Sequence, residues 1–260
     1  MPGVQYEEML PHEIVAARTD KPLAFLPIGT VEWHGVHNAT GLDTLKAHRL
    51  CVLSAEAGGG LVFPPLWYGE HREIQLMEAN PTSREAIADI MQLPPENFGI
   101  GTMNGATVDA QAHAYNDLLF HTYDQIASLG FRALIVLCGH YPLQLYTDYT
   151  SAVFMRRSQM RVFAATEATF VADMVEELGA RVGDHAAKWE TSLLMALRPG
   201  LTDLSQLPPM GEEVVGVSGE DPREANLDLG RRAVAAIVRR MKEKGDELLA
   251  GERANRSVKP

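Results

Sequence analysis

The chain has 260 residues, enough for one large α/β domain whose apolar core needs no disulfide bonds. Its formal net charge is −11, and an acidic chain repels nucleic acid and anionic membranes, so neither is an expected partner. No stretch approaches the roughly 18 consecutive apolar residues of a membrane span, and the N-terminus does not resemble a signal peptide. We therefore expect a cytoplasmic protein in which Cys51 and Cys138 are buried free thiols.

Short apolar runs alternate with longer segments of helical spacing. Continuous apolar runs of this length are typical of strands that are covered on both faces of a parallel sheet. The helical segments end at glycine or carry apolar residues on one stripe. In chain order we predict a strand at 23–28, a helix at 44–57, a strand at 61–63, a helix at 108–129, strands at 133–138 and 161–165, and helices at 166–178 and 227–249.

This alternation predicts a mostly parallel sheet with helices on both faces. We expect residues 1–250 to form a single domain and residues 251–260 to form a flexible tail. Residues 70–98 are polar and rich in proline, which predicts an irregular segment. It could be a lid over a site, an arm in an oligomer, or a simple surface insertion.

The most informative segment follows the first predicted strand and reads Gly-Thr-Val-Glu32-Trp-His34-Gly-Val-His37-Asn-Ala-Thr-Gly-Leu-Asp43. Ligands bind beyond the carboxyl ends of strands in open α/β sheets. Glu32 and His34 are two residues apart, so they project to the same side of an extended chain. With Asp43 at the start of the next helix, they form a candidate zinc or hard-cation site. The alternative is a polar loop in which Asp43 only caps a helix.

Two further motifs carry histidines and a carboxylate. His140 follows Cys138-Gly139 at the end of another predicted strand, where it could converge with the first motif. The segment Asp184-His185-Ala-Ala-Lys-Trp-Glu190-Thr-Ser192 precedes an apolar stretch. Its alternative reading is the first turn of a helix, where the helix dipole favours a carboxylate such as Glu190.

These motifs resemble the creatininase, or creatinine amidohydrolase, family. The first resembles the family pattern LPxGSxEqHGpHLPlgtDt, the second (138–143) resembles NGHGGN or NGHYEN, and the third (185–192) resembles HAGxxETS. A late segment from Ser218 to Gly230 resembles the family's GDPxxA…G stretch. The resemblance covers about residues 20 to 245, with the motifs in the same order.

The resemblance implies a three-layer αβα sandwich, a homo-oligomer such as a hexamer, and two divalent metal ions. Glu32 and His140 would hold one ion, His34 the other, and Asp43 would bridge both. Creatininase completes its site with a glutamate two residues after the second-motif histidine, but this chain has Pro142 there, which cannot ligate. We interpret Glu190 as the replacement ligand. Zinc, manganese and iron all suit such ligands.

The resemblance also implies other site residues. His185 resembles the family's general acid/base histidine, and we group Glu190 with it as catalytic. His37 is interpreted as a residue that orients a metal ligand. The predicted substrate-binding residues are Tyr141, Trp33, Asp184 and His71.

The predicted function is hydrolysis of a C–N bond in a small, cyclic amide or formamide through a metal-bridging hydroxide. His185 would pass a proton to the departing nitrogen. Two alternatives stay open: hydrolysis of a lactone, diketone or peptide on the same scaffold, and a metal-free binding protein that retains the fold. The chain retains the carboxylates and histidines of all three motifs, which argues against a binding protein because buried polar groups without partners are costly.

Overall fold

The structure is a computed structural model that describes residues 3–69, 75–99, 102–103 and 106–256. The strands in this part of the chain form a central sheet and a separate small hairpin. In chain order they are β1 (Leu23–Ile28), β2 (Leu61–Val62), β3 (Thr102–Met103), β4 (Ala106–Thr107), β5 (Ala133–Cys138) and β6 (Arg161–Thr166).

Helices flank the sheet and connect its strands. The longest, α8, closes the described part of the chain and runs through Arg256, into the predicted tail. In chain order the helices are α1 (Pro11–Asp20), α2 (Leu42–Gly58), α3 (Arg84–Ile90), α4 (Val108–Ser128), α5 (Leu143–Phe154), α6 (Val175–Leu178), α7 (Lys188–Leu197) and α8 (Leu227–Arg256).

The central sheet is parallel, with the strand order β2-β1-β5-β6. Its register pairs Ile28 with Cys138 and Cys138 with Thr166, so β1, β5 and β6 end side by side. The loops that follow these strands therefore emerge together at one edge of the sheet. This is the edge at which the sequence places its first two motifs.

Alternate residues of the strands enter two separate apolar cores. Phe25 and Ile135 contact the core under α2, α7 and α8, whereas Leu26 and Val136 contact the core under α1, α4 and α5. Both faces of the sheet are thus covered by helices, which explains the continuous apolar runs in the sequence. The predicted three-layer αβα sandwich is confirmed.

The single helix predicted over 166–178 is wrong. β6 extends to Thr166, and α6 begins only at Val175. The carbonyl of Phe170 accepts a hydrogen bond from Arg240 of α8, while the amide of Met174 donates to Val171 rather than to Phe170. The apolar residues here have helical spacing, but they form a 3-10 helix over Ala168–Val171 and a separate short α6 rather than one continuous helix.

The segment 70–98 is more ordered than its composition predicts. It contains α3, and it buries Leu76, Ile87 and Phe98. The prediction of an irregular segment is therefore wrong for Arg84–Ile90. Helices α1 and α5 were not predicted, since their spans carry no clear end signals beyond Pro11 and Pro142. Helix α7 begins at Lys188 and has Glu190 in its first turn, so the alternative reading of the third motif as the start of a helix is confirmed.

Two further features are the state of the cysteines and the character of the helices. Cys51 and Cys138 are free and buried, as predicted. Among the described residues, no helix has both the length and the apolar character needed to cross a membrane.

Candidate metal centre

The candidate site lies where the loop after β1, the loop after β5 and the first turns of α2 and α7 meet. The glycine that follows β1 allows this approach, because a Cβ on Gly29 would lie 2.6 Å from the backbone nitrogen of Thr44. Asp43, beside Thr44 in the first turn of α2, is thereby brought against the carboxyl end of the sheet. The N-terminus of a helix also favours a carboxylate electrostatically.

Asp43 lies between two histidines. Its Oδ1 is 3.1 Å from Nε2 of His34, and its Oδ2 is 3.3 Å from Nδ1 of His140. All three side chains are buried. Because each imidazole faces a different oxygen, the carboxylate can be shared between two cations.

Glu32 and Glu190 complete the two halves of the site. Glu32 Oε1 is 2.8 Å from His140 Nδ1, and Glu190 Oε2 is 3.9 Å from His34 Nε2. Among the described residues, three groups of side chains could each hold an ion. Within each group the ligand atoms lie within 4.8 Å of one another. These groups are Glu32 with Asp43 and His140, His34 with Asp43 and Glu190, and Glu32 with His34 and His185.

Hydrogen bonding within the described residues leaves part of this cluster unsatisfied. Glu32 Oε1 and Asp43 Oδ2 have only His140 Nδ1 between them, at 2.8 and 3.3 Å, and the buried His140 Nε2 has no hydrogen-bond partner. Buried polar atoms normally have partners, and bare carboxylates in an apolar interior are costly. A divalent cation beside Glu32 and Asp43 would compensate both oxygens, so the residues present fit a metal.

The pKa values of the cluster are set by a competition between burial and charge. Burial alone would lower the pKa of His34, but Asp43 and the other carboxylates raise it to about 9. The pKa of His140 is raised to about 10 against the same effect of burial, by Asp43 and Glu32. Burial alone would raise the pKa of Asp43, yet the two imidazoles hold it well below its ordinary value. The cluster therefore attracts positive charge strongly.

The tautomer of His34 leaves a nitrogen for a metal. Its Nδ1 lies 3.2 Å from the backbone carbonyl oxygen of Glu32, which can only accept a hydrogen bond. Nδ1 therefore carries the hydrogen. The lone pair of Nε2 in the neutral ring then faces Asp43, as a metal-binding histidine requires.

His185 is oriented in the same way at the mouth of the cluster. Its Nε2 donates to the carbonyl oxygen of Trp33 at 2.9 Å, so Nδ1 is the ring nitrogen that faces the cluster. Nδ1 lies 3.8 Å from Glu32 Oε1, and the ring stacks on His34 with 4.6 Å between centroids. Its side chain is 19% exposed, in contrast to the buried ring of His34.

Asp184 holds the first turn of α7 in place. Its carboxylate accepts hydrogen bonds from the backbone amides of Trp189 at 2.7 Å and Glu190 at 3.1 Å. Burial and the nearby charge of Glu190 raise the pKa of Asp184 to about 7. These contacts orient Glu190, whereas the predicted contact between Asp184 and a substrate stays a prediction.

His37 connects the first motif to the third. Its Nε2 lies 3.0 Å from the carbonyl oxygen of Ala186 and 3.1 Å from Thr191 Oγ1. The amide of Ala186 in turn donates to Glu190 Oε2 at 2.8 Å. His37 therefore supports the loop that holds Glu190, which fits its interpretation as an orienting residue.

The other predicted substrate-binding residues have distinct environments. Tyr141 donates its hydroxyl to Glu167 at 2.6 Å, and the ammonium group of Lys46 lies 4.8 Å from the centroid of its ring, so the predicted contact with a substrate stays a prediction. The indole of Trp33 donates to the carbonyl of Val215 and lines a cavity of about 210 Å³ beside Glu32. His71 lies outside the described residues.

Part of the segment 70–98 forms one wall of the site. The amide of Met77 donates to Glu32 Oε2 at 2.8 Å, and Glu78 accepts from the amide of Trp33 at 2.9 Å. The cavity beside Glu32 is otherwise largely apolar, with Ile87, Met91, Leu93 and Phe98 among its lining residues. A position over a site was one of the alternatives left open for this segment, but Met77 and Glu78 were not predicted as site residues.

A buried cation that the sequence motifs do not predict lies beside the cluster. Lys46, on α2, is fully buried and contacts Glu190 and Glu167. The signal was its position three residues after Asp43, on the same face of a helix. A surface lysine has the same signature, so only the structure distinguishes the two.

The fold and this cluster define a class of protein: an αβα sandwich with buried carboxylates and imidazoles that suit two divalent cations, the arrangement of a metal-dependent hydrolase. A family model described as creatinine amidohydrolase matches residues 7–77 and 75–244, and the chain belongs to this creatininase family. The predicted family is thus confirmed.

Two relatives illustrate the range of the family. A creatinine amidohydrolase from Pseudomonas putida is 26% identical over 195 residues, which are 70% of this chain and 66% of that protein. A 3-dehydro-scyllo-inosose hydrolase from Thermotoga maritima is 27% identical over 138 residues, which are 53% of this chain and 36% of that protein. The chain thus matches just under two thirds of the first relative and about one third of the second.

Solved creatininase structures share the fold. A mutant creatininase of Zn-Zn type superposes with a TM-score of 0.71 at 21% identity, covering 95% of this chain and 98% of that chain. The Mn form of creatininase gives a TM-score of 0.71 at 21% identity, covering 94% and 98%. The likeness extends over nearly the whole of both chains, which establishes the common architecture.

Proposed function

We propose that this protein is a dinuclear metal-dependent hydrolase that cleaves the C–N bond of a small cyclic amide or formamide. The observation that carries the proposal is the division of the Asp43 carboxylate between His34 and His140. One carboxylate that faces two separate imidazoles, each with a further carboxylate, is the arrangement expected of a ligand shared by two ions.

The candidate ligands divide into two sets, one for each metal position. Glu32, Asp43 and His140 would hold one ion, and His34, Asp43 and Glu190 would hold the other. When bound, two divalent ions activate a water molecule as a nucleophile and polarise the carbonyl of the substrate. Zinc and manganese are the first metals to test, because solved creatininases contain Zn or Mn.

The residues of the chain supply the rest of the chemistry. His185 carries its exchangeable proton at Nδ1, since Trp33 holds Nε2, and it would deliver that proton to the departing nitrogen. Glu190 would be fixed by Asp184 and Ala186 rather than free to rotate. The ring of Tyr141 and the cavity beside Trp33 would bind the non-reacting part of the substrate.

A second candidate is the hydrolysis of a lactone or diketone at the same metal centre. It is favoured by the relative named for hydrolysis of 3-dehydro-scyllo-inosose, which is not an amide. The same activated water and the same polarised carbonyl would serve, but His185 would then protonate a carbon or oxygen leaving group.

The first experiment measures metal per chain by plasma mass spectrometry, on protein purified without chelators. We expect close to two divalent ions, and chelator-sensitive hydrolysis in a screen of creatinine, hydantoins and N-formyl amino acids. Activity only on lactones or cyclic diketones would select the second candidate. A protein without ions, and without uptake of added zinc or manganese, would contradict both and favour a binding protein.

The proposal includes a homo-oligomer. Exposed apolar side chains on α5 offer surface for contact between copies, with Leu145 66% and Tyr149 58% exposed. Light scattering coupled to gel filtration measures the mass directly. A monomer at micromolar concentration would contradict this part of the proposal.

A further inference from the structure

Lys46 lies one helical turn after Asp43 on α2, and its side chain is fully buried. Its Nζ is 2.6 Å from Glu190 Oε1 and 3.2 Å from Glu167 Oε1. The ammonium group also lies 4.8 Å from the ring centroid of Tyr141. A fully buried lysine is rare, and here it has two carboxylate partners directly behind the candidate metal centre.

The two oxygens of Glu190 have different partners. Oε1 accepts from Lys46 at 2.6 Å, whereas Oε2 accepts from the amide of Ala186 at 2.8 Å and faces His34 at 3.9 Å. Lys46 therefore prevents the carboxylate from rotating about its terminal bond. Only Oε2 is left to face the ion that His34 and Asp43 would share.

Glu167 balances the charge of Lys46. Its Oε1 also accepts hydrogen bonds from Tyr141 at 2.6 Å and from the indole of Trp189 at 3.1 Å. Lys46 and Glu167 thus form a neutral buried pair, and the negative charge of Glu190 stays available to a metal. The side chain of Pro142 offers no ligand atom. The metal position shared with His34 and Asp43 therefore depends on Glu190.

We propose that Lys46 is a positioning residue that fixes Glu190 as a ligand for the metal position it shares with His34 and Asp43. The inference rests on the proposed function, since it presupposes two metal positions. A lysine that only neutralised Glu167 would support the fold as a whole. A lysine that positions Glu190 changes the metal affinity of one position and leaves that of the other unchanged. The test therefore compares the affinities of the two positions.

The experiment compares wild-type protein with the double variant Lys46→Met, Glu167→Gln. The double substitution removes one charge of each sign, so no new net charge is buried. Zinc and, separately, manganese are titrated into metal-free protein by calorimetry, with retained metal counted after gel filtration. We expect the position of Glu32, Asp43 and His140 to keep its affinity within about threefold, and the other to weaken by about tenfold or more.

Two controls separate the possible causes. Lys188→Met removes a lysine that pairs with Glu224 at 3.0 Å, and it should leave both positions unchanged. Lys46→Gln keeps a hydrogen-bond donor for Glu190 without the charge, so it should retain the second ion better than Lys46→Met, Glu167→Gln. It also provides the comparison with wild type if the double variant does not fold.

Each result has a definite meaning. Wild-type affinity at both positions in the folded double variant, or an equal loss at both positions, would overturn the role of Lys46. If the double variant does not fold, an equal loss of affinity at both positions in Lys46→Gln would overturn it. Wild-type protein that holds fewer than two ions would instead refute the dinuclear function itself, so the two failures are distinguishable.

Discussion

Gly139 lies directly against the backbone of Asp43: a Cβ built on Gly139 would approach the carbonyl carbon of Asp43 to 2.5 Å. The backbone dihedral φ of Gly139 is not positive, so glycine is needed here for space rather than for conformation. The end of β5 and the first turn of α2 are thereby in contact, which brings His140 to the carboxylate of Asp43. The candidate metal centre depends on this close approach.

Gly139→Ala should therefore displace the first turn of α2. Because a backbone atom cannot yield as a flexible side chain can, we expect a loss of about 1–3 kcal/mol in the free energy of unfolding, together with weaker binding of both ions. Urea denaturation and metal analysis measure the two effects. Gly3→Ala is the matched control, since nothing lies within 4 Å of its added Cβ. Unchanged stability and metal content would show that the contact relaxes easily.

Asp43→Ala should remove both ions. Its two oxygens face different histidines, so no other described residue replaces it at either position. We expect metal content to fall from about two ions per chain to nearly none, as measured by plasma mass spectrometry. Asp109→Ala, which removes another acid from the first turn of a helix, is the control. Retention of one ion would contradict the shared carboxylate.

The sequence predicted the clustering of the candidate ligands better than it predicted the helices. Glu32, His34, Asp43, His140, His185 and Glu190 could be found because they follow strand ends or lie in motifs, and the parallel register then brings the strand ends together. The helix over 166–178 failed for a different reason. At its break the carbonyl of Phe170 accepts from Arg240, about 70 residues away in the sequence, and no local pattern reports such a contact.

Lys46 and Glu167 show the same limit within the site. Each is an ordinary charged residue in the sequence, and each is buried only because its partner is buried with it. A pair of this kind is determined by the packing of α2 and β6 on a common core. The wall formed by Met77 and Glu78 likewise depends on tertiary contacts with Glu32 and Trp33.

Glu190→Gln should empty chiefly one metal position. The amide keeps the shape of the side chain but loses the negative charge that faces His34. We expect about one ion per chain, with Glu32, Asp43 and His140 still loaded, as measured by metal analysis and calorimetric titration. Glu224→Gln removes an exposed carboxylate near α7 and should retain both ions. Two ions in Glu190→Gln, bound as tightly as in wild type, would exclude Glu190 as a ligand.

His185→Gln should slow the reaction without removing metal. General acid catalysis contributes on the order of 10²–10⁴ to the rate, so we expect kcat on the substrate identified by the screen to fall by that factor. Metal content should stay near two ions. His121→Gln changes an exposed histidine of α4 and is the control. If His185→Gln lost an ion, His185 would be a ligand, as its proximity to Glu32 and His34 would permit.

The metal-free protein should lose stability as the pH rises. The pKa values of His34 and His140 are raised from 6.5 to about 9 and about 10, because the protonated rings face carboxylates. Their contribution is fully present below about pH 6.5 and disappears as the pH passes through 9 to 10. Bound metal ions replace these protons, so the loaded protein should not show the same loss. Thermal denaturation of chelator-treated and metal-loaded protein between pH 6.5 and 10.5 measures the difference. Parallel curves for the two forms would contradict a shared site for protons and metal, because the histidines would then titrate independently of the ions.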